Sequence, residues 1–524
     1  MNVRAIKVLR RRLTVLGALS AAAWPLGAQS SDSRFDAARD TIRAIMEANK
    51  VPSISVAIAQ GDRILWEESF GYADKEREIR ATPRTMYSLA SISKPITATA
   101  LMILVERGKV AVDQPANRYL GAAKLRAFEG LADSATVRRL LTHTAGLPLH
   151  YQFFYAGGAA AHPMDTAIAR YGVLVYPPGE RYFYSNLGYG ILDHIIARTS
   201  GMSYSDFMRR EVFAPLGFSE MTVSDGAGLG DRAAVRYDND GKPIPPYTFD
   251  HVGASGVYSS AHDLVRFGQW HLGVALPGAK DVLPRETRAR MQTPEAPAGE
   301  PGFDRGWGWG IAEDDLGLRR ISHGGGMPGV ATVLMLYPAE SLSVVVLANT
   351  SAVPTARIAA AMTGAVGPIY AGERLARSER ARQAEAARAN AGASGAAAAG
   401  ATDDRPRPAA LVGRWTGMVL VHGDSIPLAF DIPVSGAASA RLGSQPETEL
   451  AVRIQDEQDG QMTARFEGEI VGADAAGADA RGSHPIALTL RLRGDALTGW
   501  ASVLTTRALM YGAVSYRVRM DSQE

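Results

Sequence analysis

Ser91 and Lys94 stand three residues apart in the stretch Tyr87-Ser-Leu-Ala-Ser-Ile-Ser-Lys-Pro-Ile-Thr-Ala-Thr-Ala100. The run that follows, Ile96 to Val105, is rich in alanine, leucine and methionine and reads as a buried helix with Ser91 and Lys94 in its first turn. Residues three apart on a helix share a face, so the Ser91 hydroxyl and the Lys94 amine can meet. That pairs a nucleophile with a candidate base. Desolvation at the mouth of an apolar helix pushes a lysine down from its usual ~10.4, making the neutral amine accessible. Pro95 is tolerated because it still lies in the first turn. A Ser-x-x-Lys also arises by chance on solvated helices, so its weight depends on what accompanies it.

Two further clusters follow in order. Tyr184-Ser185-Asn186 comes after the turn Pro177-Pro178-Gly179-Glu180 and before a helix that buries Ile191, Leu192, Ile195 and Ile196, and His323-Gly324-Gly325-Gly326 lies in a late strand. In this order and loose spacing the three motifs resemble the serine β-lactamase and penicillin-binding-protein superfamily. The branch they resemble is the class C β-lactamase-like one, which also holds esterases, D-amino-acid peptidases and D,D-carboxypeptidases. The resemblance runs over about residues 33 to 370 and is supported by Leu141-Thr-His-Thr-Ala-Gly-Leu147 and Gly306-Trp-Gly-Trp-Gly310.

The resemblance implies that Ser91 attacks a carbonyl to form an acyl-enzyme, with Lys94 and Tyr184 as the base pair. A nearby ammonium would lower Tyr184 from its usual ~10 while burial depresses Lys94, and such a pair titrates as a unit, leaving open which group takes the Ser91 proton. Asn186 would set its amide against the substrate, or simply cap the following helix. The oxyanion hole would be the backbone N–H groups of Ser91 and Gly326, with Gly324 and Gly325 letting substrate approach the strand. One departure matters: His323-Gly324-Gly325 stands where Lys-Thr-Gly is usual, and a mostly neutral histidine is a poor partner for a carboxylate. An exported, cofactor-independent esterase, amidase or small-peptide hydrolase is therefore the expected activity. The alternatives are a β-lactamase or D,D-carboxypeptidase, and a non-catalytic binding or sensor protein on the same fold.

These residues need a scaffold. Ser53 to Gln60 and Arg63 to Phe70 read as a hairpin turning at Gly61-Asp62, and strands recur at Trp307 to Ala312, Arg319 to His323, Ala331 to Tyr337 and Ser343 to Ala348. Together they predict one antiparallel sheet, with a first helix around Phe35 to Met46 and a late one at Thr355 to Tyr370 on one face. A helix at Thr136 to His143 ending in a Gly146 cap, and a helical lobe over 150–250, complete an α/β (α+β) sandwich of the β-lactamase-like type. Residues 411–524 alternate in short runs and predict a small all-β domain. Its opening Gly413-Arg414-Trp415 is similar to lipocalin-like barrels. Residues 372–410, charged and alanine-rich, then glycine-rich, read as a linker between it and the hydrolase domain at 29–371.

Composition removes other classes. A net charge of +2 over 524 residues offers nucleic acid no footprint, and the absence of cysteine excludes disulfides and thiol catalysis. No His-x-His or His-Glu-x-x-His supports a metal site, and no Gly-x-Ser-x-Gly marks an α/β-hydrolase elbow. Residues 1–28, basic, then apolar, then Leu26-Gly27-Ala28, predict a secretory signal and a periplasmic or secreted protein with no membrane span once it is cleaved.

Overall fold

Ser53–Gln60 (β1) is an apolar run buried on both faces, as a central strand requires. It pairs antiparallel with Arg63–Asp74 (β2) on one side and with a strand nearly three hundred residues later on the other, Val56 facing both Glu68 and Val346. The computed structural model describes residues 32–127, 130–158, 160–314, 317–366, 409–421, 424–456, 461–470, 483–507 and 510–523. The signal at 1–28 and all of the linker but Ala409 and Ala410 lie outside them.

The remaining strands of the main sheet are Ile79–Arg80 (β3), Ala296–Pro297 (β4), Phe303–Arg305 (β5), Gly310–Glu313 (β6), Arg319–Met327 (β7), Val330–Tyr337 (β8) and Leu342–Ala348 (β9). Their spatial order is β4-β5-β6-β7-β8-β9-β1-β2-β3. Side chains alternate across the pleat. Ile54, Val56, Ile58, Val344 and Val346 face Asp36–Ala48 (α1) and Thr355–Gly364, while Ala57, Ala59, Leu334, Leu336, Val345 and Leu347 face the larger core. The larger core takes in Ser93–Glu106 (α2), Val137–Leu141 (α3), Asn186–Ser200 (α4) and Ala261–His271 (α5). Thr355–Gly364 is α6. Each fully buried Leu, Ile or Val contributes on the order of 1.5–3 kcal/mol, so both faces hold the sheet.

From Ser93 to Leu104 every residue of α2 is buried, as its apolar circumference demands. Two expectations change. α3 ends at Leu141, and Gly146 does not cap it: it sits at φ 83° where a Cβ would lie 2.1 Å from the Tyr176 carbonyl oxygen. The strand expected from Trp307 begins only at Gly310, because Trp307 and Trp309 turn into the core.

Residues beyond 409 form a closed eight-stranded barrel: Gly413–Val421 (β10), Asp424–Ile432 (β11), Ala438–Leu442 (β12), Thr448–Asp456 (β13), Gln461–Gly468 (β14), His484–Arg493 (β15), Ala496–Arg507 (β16) and Met510–Gln523 (β17). Trp415 is buried at its base with its indole N–H on the Leu411 carbonyl at 3.0 Å. Trp500 of β16 packs against Tyr176 (4.8 Å between ring centroids) and Phe183 (5.0 Å), and Arg491 of β15 pairs with Glu180 at 2.9 Å. The barrel thus leans on the loop that carries Tyr184. Among the described residues no helix is long and apolar enough to cross a membrane.

Candidate active site

The turn holding Ser91 is fixed from three sides. Tyr87–Ser88 pairs with Val257–Ser259, the Leu89 amide donates to the Val257 carbonyl at 2.9 Å, and Thr332 of β8 donates its hydroxyl to the Leu89 carbonyl at 2.9 Å. Ala90 then takes φ 47°, a left-handed conformation that costs a non-glycine residue of order 1 kcal/mol. The surrounding contacts hold it there and swing Ser91 to the start of a 3-10 turn leading into α2. Gly325 of β7 abuts this turn: a Cβ on it would lie 2.2 Å from the Leu89 oxygen. At Gly326 a Cβ would meet nothing within 4 Å, so the strand is open there. β6 pairs with β7 only as far as Ser322, leaving the edge from His323 onward without a strand partner among the described residues.

Lys94 is fully buried, and its amine contacts Ser91 Oγ (3.0 Å), Asn186 Oδ1 (2.8 Å) and the Ala254 carbonyl oxygen (3.2 Å). The last two can only accept. A neutral amine satisfies them with its two N–H bonds and turns its lone pair to the Ser91 hydroxyl. Burial pushes Lys94 well below the ordinary lysine range, and the charge of Arg305 adds to this. Asn186 is not the helix cap. Ser185 caps α4, its Oγ accepting from the Gly188 amide at 3.1 Å, and Asn186 in the first turn also donates Nδ2 to the His150 carbonyl at 3.1 Å.

Tyr184 lies with its ring centroid 4.7 Å from Lys94 Nζ. Burial raises its phenol above the usual value, while a hydrogen bond with the Ser91 side chain works against that shift. This reverses the expectation of a lowered tyrosine: a largely neutral Lys94 supplies no ammonium to favour tyrosinate. His143 packs on Tyr184 at 4.3 Å, accepts the Ser185 amide on Nδ1 at 3.1 Å, and is pushed well below its ordinary value by burial, with the charge of Arg305 adding. His323 donates Nδ1 to its neighbour's carbonyl, that of Gly324, at 2.7 Å, and its buried Nε2 has no partner among the described residues. Burial, with the charge of Arg305 adding, pushes it well below its ordinary value and keeps it neutral.

Sequence reasoning brought Ser91, Lys94, Tyr184, Asn186, His323 and Gly324 to Gly326 together, but did not single out His143 as a positioning residue, nor Arg305 at all. Behind the site it also missed a buried trio: Asp250 accepts from His150 Nε2 (2.9 Å) and His251 Nδ1 (2.8 Å). Burial raises the Asp250 carboxyl, and the two imidazoles outweigh that and hold it below the usual carboxylate range. These three form a group of metal-type ligands among the described residues, but Asp250 already binds both imidazoles. The Asn–His pairing through the His150 backbone had no signal in the sequence. His143 had one, in the Thr142-His-Thr144 stretch.

The chain resembles known proteins across this whole region. Penicillin-binding protein 4* of Bacillus subtilis (strain 168) is 29% identical over 317 residues, covering 56% of this chain and 67% of the relative. Protein flp of Staphylococcus aureus (strain N315) is 22% identical over 310 residues, 58% of this chain, which spans only 61% of that relative's length. In fold, the octameric penicillin-binding protein homologue from Pyrococcus abyssi superimposes with a TM-score of 0.55 at 22% identity, covering 92% of this chain and 99% of that one. A family model described as Beta-lactamase matches residues 38–366. The chain therefore belongs to the beta-lactamase family of serine hydrolase folds.

Proposed function

We propose that this protein is an exported serine hydrolase that cleaves an ester or amide bond through an acyl-enzyme on Ser91. The observation that carries this is the Lys94 amine, buried between two obligate acceptors with its third direction on Ser91 Oγ. In this reading the Ser91 proton passes to Lys94 Nζ as Oγ bonds to the substrate carbonyl carbon. The oxygen that becomes negative rests on the amides of Ser91 and Gly326. Tyr184, kept a phenol by burial, relays a proton to the leaving group as the scissile bond breaks, and a water activated by the same pair then frees Ser91. The basic and apolar sequence of residues 1–28 supports export.

An ester or small amide substrate is favoured over a β-lactam because His323 is neutral and bonded to its own strand, and so offers no cation at the third motif. The name of one relative, penicillin-binding protein 4*, speaks for penicillin binding and so favours the second reading, a β-lactamase or D,D-carboxypeptidase. The test sets a short p-nitrophenyl ester beside a chromogenic cephalosporin, with the mature protein and with Ser91→Ala. Ester turnover lost in the variant, with little cephalosporin turnover, supports our reading. Fast cephalosporin turnover replaces it with the second.

A further inference from the structure

We propose that a cavity around Arg236, apart from the catalytic residues, binds a small carboxylate with an apolar body. The cavity measures about 480 Å³, and none of Ser91, Lys94, Tyr184, Asn186 or His323 lines it. Ile79, Pro243, Ile244, Pro245 and Pro246 give it apolar walls, and three of its charged residues, Asp74, Arg77 and Asp231, answer one another. Arg77 pairs with Asp231 at 2.6 Å and with Asp74 at 3.7 Å.

Arg236, also in the lining, is left over. It is only 6% exposed, its Nη2 donates to the Asp225 carbonyl at 3.0 Å, its Nη1 is buried without a partner, and no carboxylate among the described residues forms an ion pair with it. The guanidinium carbon lies 3.6 Å from the Tyr247 ring centroid, a contact that offsets part of the desolvation without using an N–H donor. The residue is also fixed before any ligand arrives. Its carbonyl accepts the Ile244 amide at 2.8 Å, and the amides on either side, of Val235 and Tyr237, donate to the Ala73 and Asn349 carbonyls at 2.8 and 2.9 Å. Gly329, in the turn between β7 and β8, comes so close that a Cβ on it would lie 2.6 Å from Arg236 Cβ. A desolvated guanidinium with an idle donor is costly unless an anion answers it, and a carboxylate matches its fork. The proline and isoleucine walls add the second requirement, a hydrocarbon body beside that carboxylate.

The test is calorimetric titration of the protein with phenylacetate, with its neutral counterpart 2-phenylethanol, and with inorganic phosphate. Because it reads binding and not turnover, it stands whether or not the hydrolase reading does. Wild type binds phenylacetate about tenfold or more tighter than either of the others, since only phenylacetate carries both the charge and the apolar body. Arg236→Gln weakens phenylacetate by about the same factor and leaves 2-phenylethanol unchanged. Circular dichroism checks that this variant is folded. If it is not, Pro246→Glu decides: it sets a like charge on an exposed part of the wall, and phenylacetate, not 2-phenylethanol, then binds severalfold more weakly. Phenylacetate binding that is unchanged in the deciding variant lies elsewhere on the protein and overturns the proposal. So do the absence of binding at millimolar phenylacetate and phosphate binding as tight as that of phenylacetate.

Discussion

The Lys94 amine and the side-chain carbonyl oxygen of Asn186 stand 2.8 Å apart, both buried. A neutral acceptor at that position orients the amine without holding its proton. Asn186→Asp puts a carboxylate there, and an opposite charge within 4 Å favours the ammonium. We predict that Asn186→Asp loses about 10^2-fold or more of kcat/KM at neutral pH, of the size expected when a general base is lost. Asn186→Ala, which removes orientation but adds no charge, loses less. Ester hydrolysis by both variants across pH 6–10 decides it: equal losses would remove the charge argument.

The pH profile has a definite sign. Lys94 acts as the neutral amine, so kcat/KM rises with pH through its depressed pKa, and Tyr184, raised by burial, imposes no descending limb in the neutral range. Arg305 is a like charge that helps depress Lys94. Arg305→Gln therefore moves the ascending limb to higher pH, measurable on a neutral ester. A limb that stays in place or moves down contradicts the assignment of Lys94 as base.

Neighbouring glycines should respond differently. Gly325→Ala drives a Cβ to 2.2 Å from the Leu89 oxygen and 2.3 Å from Thr332 Oγ1, so it displaces the nucleophile turn and lowers both stability and activity. Gly326→Ala meets open space and leaves the melting temperature near wild type while obstructing the substrate edge. Thermal unfolding beside ester kinetics separates the two.

At the barrel contact, Trp500→Ala removes an indole that is 5% exposed and packed on Tyr176 and Phe183. Truncating a buried tryptophan costs on the order of 3–5 kcal/mol, here divided between the barrel and its contact. Because Phe183 precedes Tyr184, we expect kcat to fall severalfold as well. A variant that unfolds earlier but keeps full kcat would show that the barrel does not steady the Tyr184 loop.

His271 couples the core to pH. Burial, with the Arg288 charge adding, lowers it to about 3, and its Nε2 is 3.0 Å from Thr99 Oγ1, whose proton goes to the Pro95 carbonyl. The ring therefore donates Nε2–H to Thr99, and its buried Nδ1 has no partner for a second proton. Between pH ~6.5 and ~3 the unfolded chain binds a proton the folded one refuses, so this residue makes stability fall as pH falls. From pH 7.5 to 5 the cost is about 2 kcal/mol. His271→Gln should close its stability gap to wild type by that amount in denaturant titrations. A gap independent of pH would refute it.

Motif order and strand alternation made the site and sheet legible. Ser91, Lys94, Tyr184 and the His323 strand are local patterns whose spacing survives folding, and the pairing of the early hairpin with late strands follows from two apolar runs that each need partners. Arg305 was not legible because its place beside Tyr184 arises only when two sequence-distant segments pack together, and a single arginine has no periodic signature. Tyr184 was misjudged in sign because depth of burial is a tertiary property. In the barrel, β12 escaped notice as a five-residue run of mostly small side chains, Ala438-Ser-Ala-Arg-Leu442, whereas β17 was missed although Tyr516-Arg-Val-Arg-Met-Asp521 alternates apolar with charged residues.

The pairing of Ile54 with Ala348 joins two strands that are synthesised far apart in time. At about 5–20 residues per second, β1 is synthesised about 15–60 s before β9 exists to cover its second edge. For that interval an eight-residue apolar strand has one free edge, the geometry that recruits foreign strands. A chain interrupted anywhere before residue 342 keeps that edge permanently, so truncation products should be found aggregated or held by chaperones even when they contain every residue of the Ser91 helix.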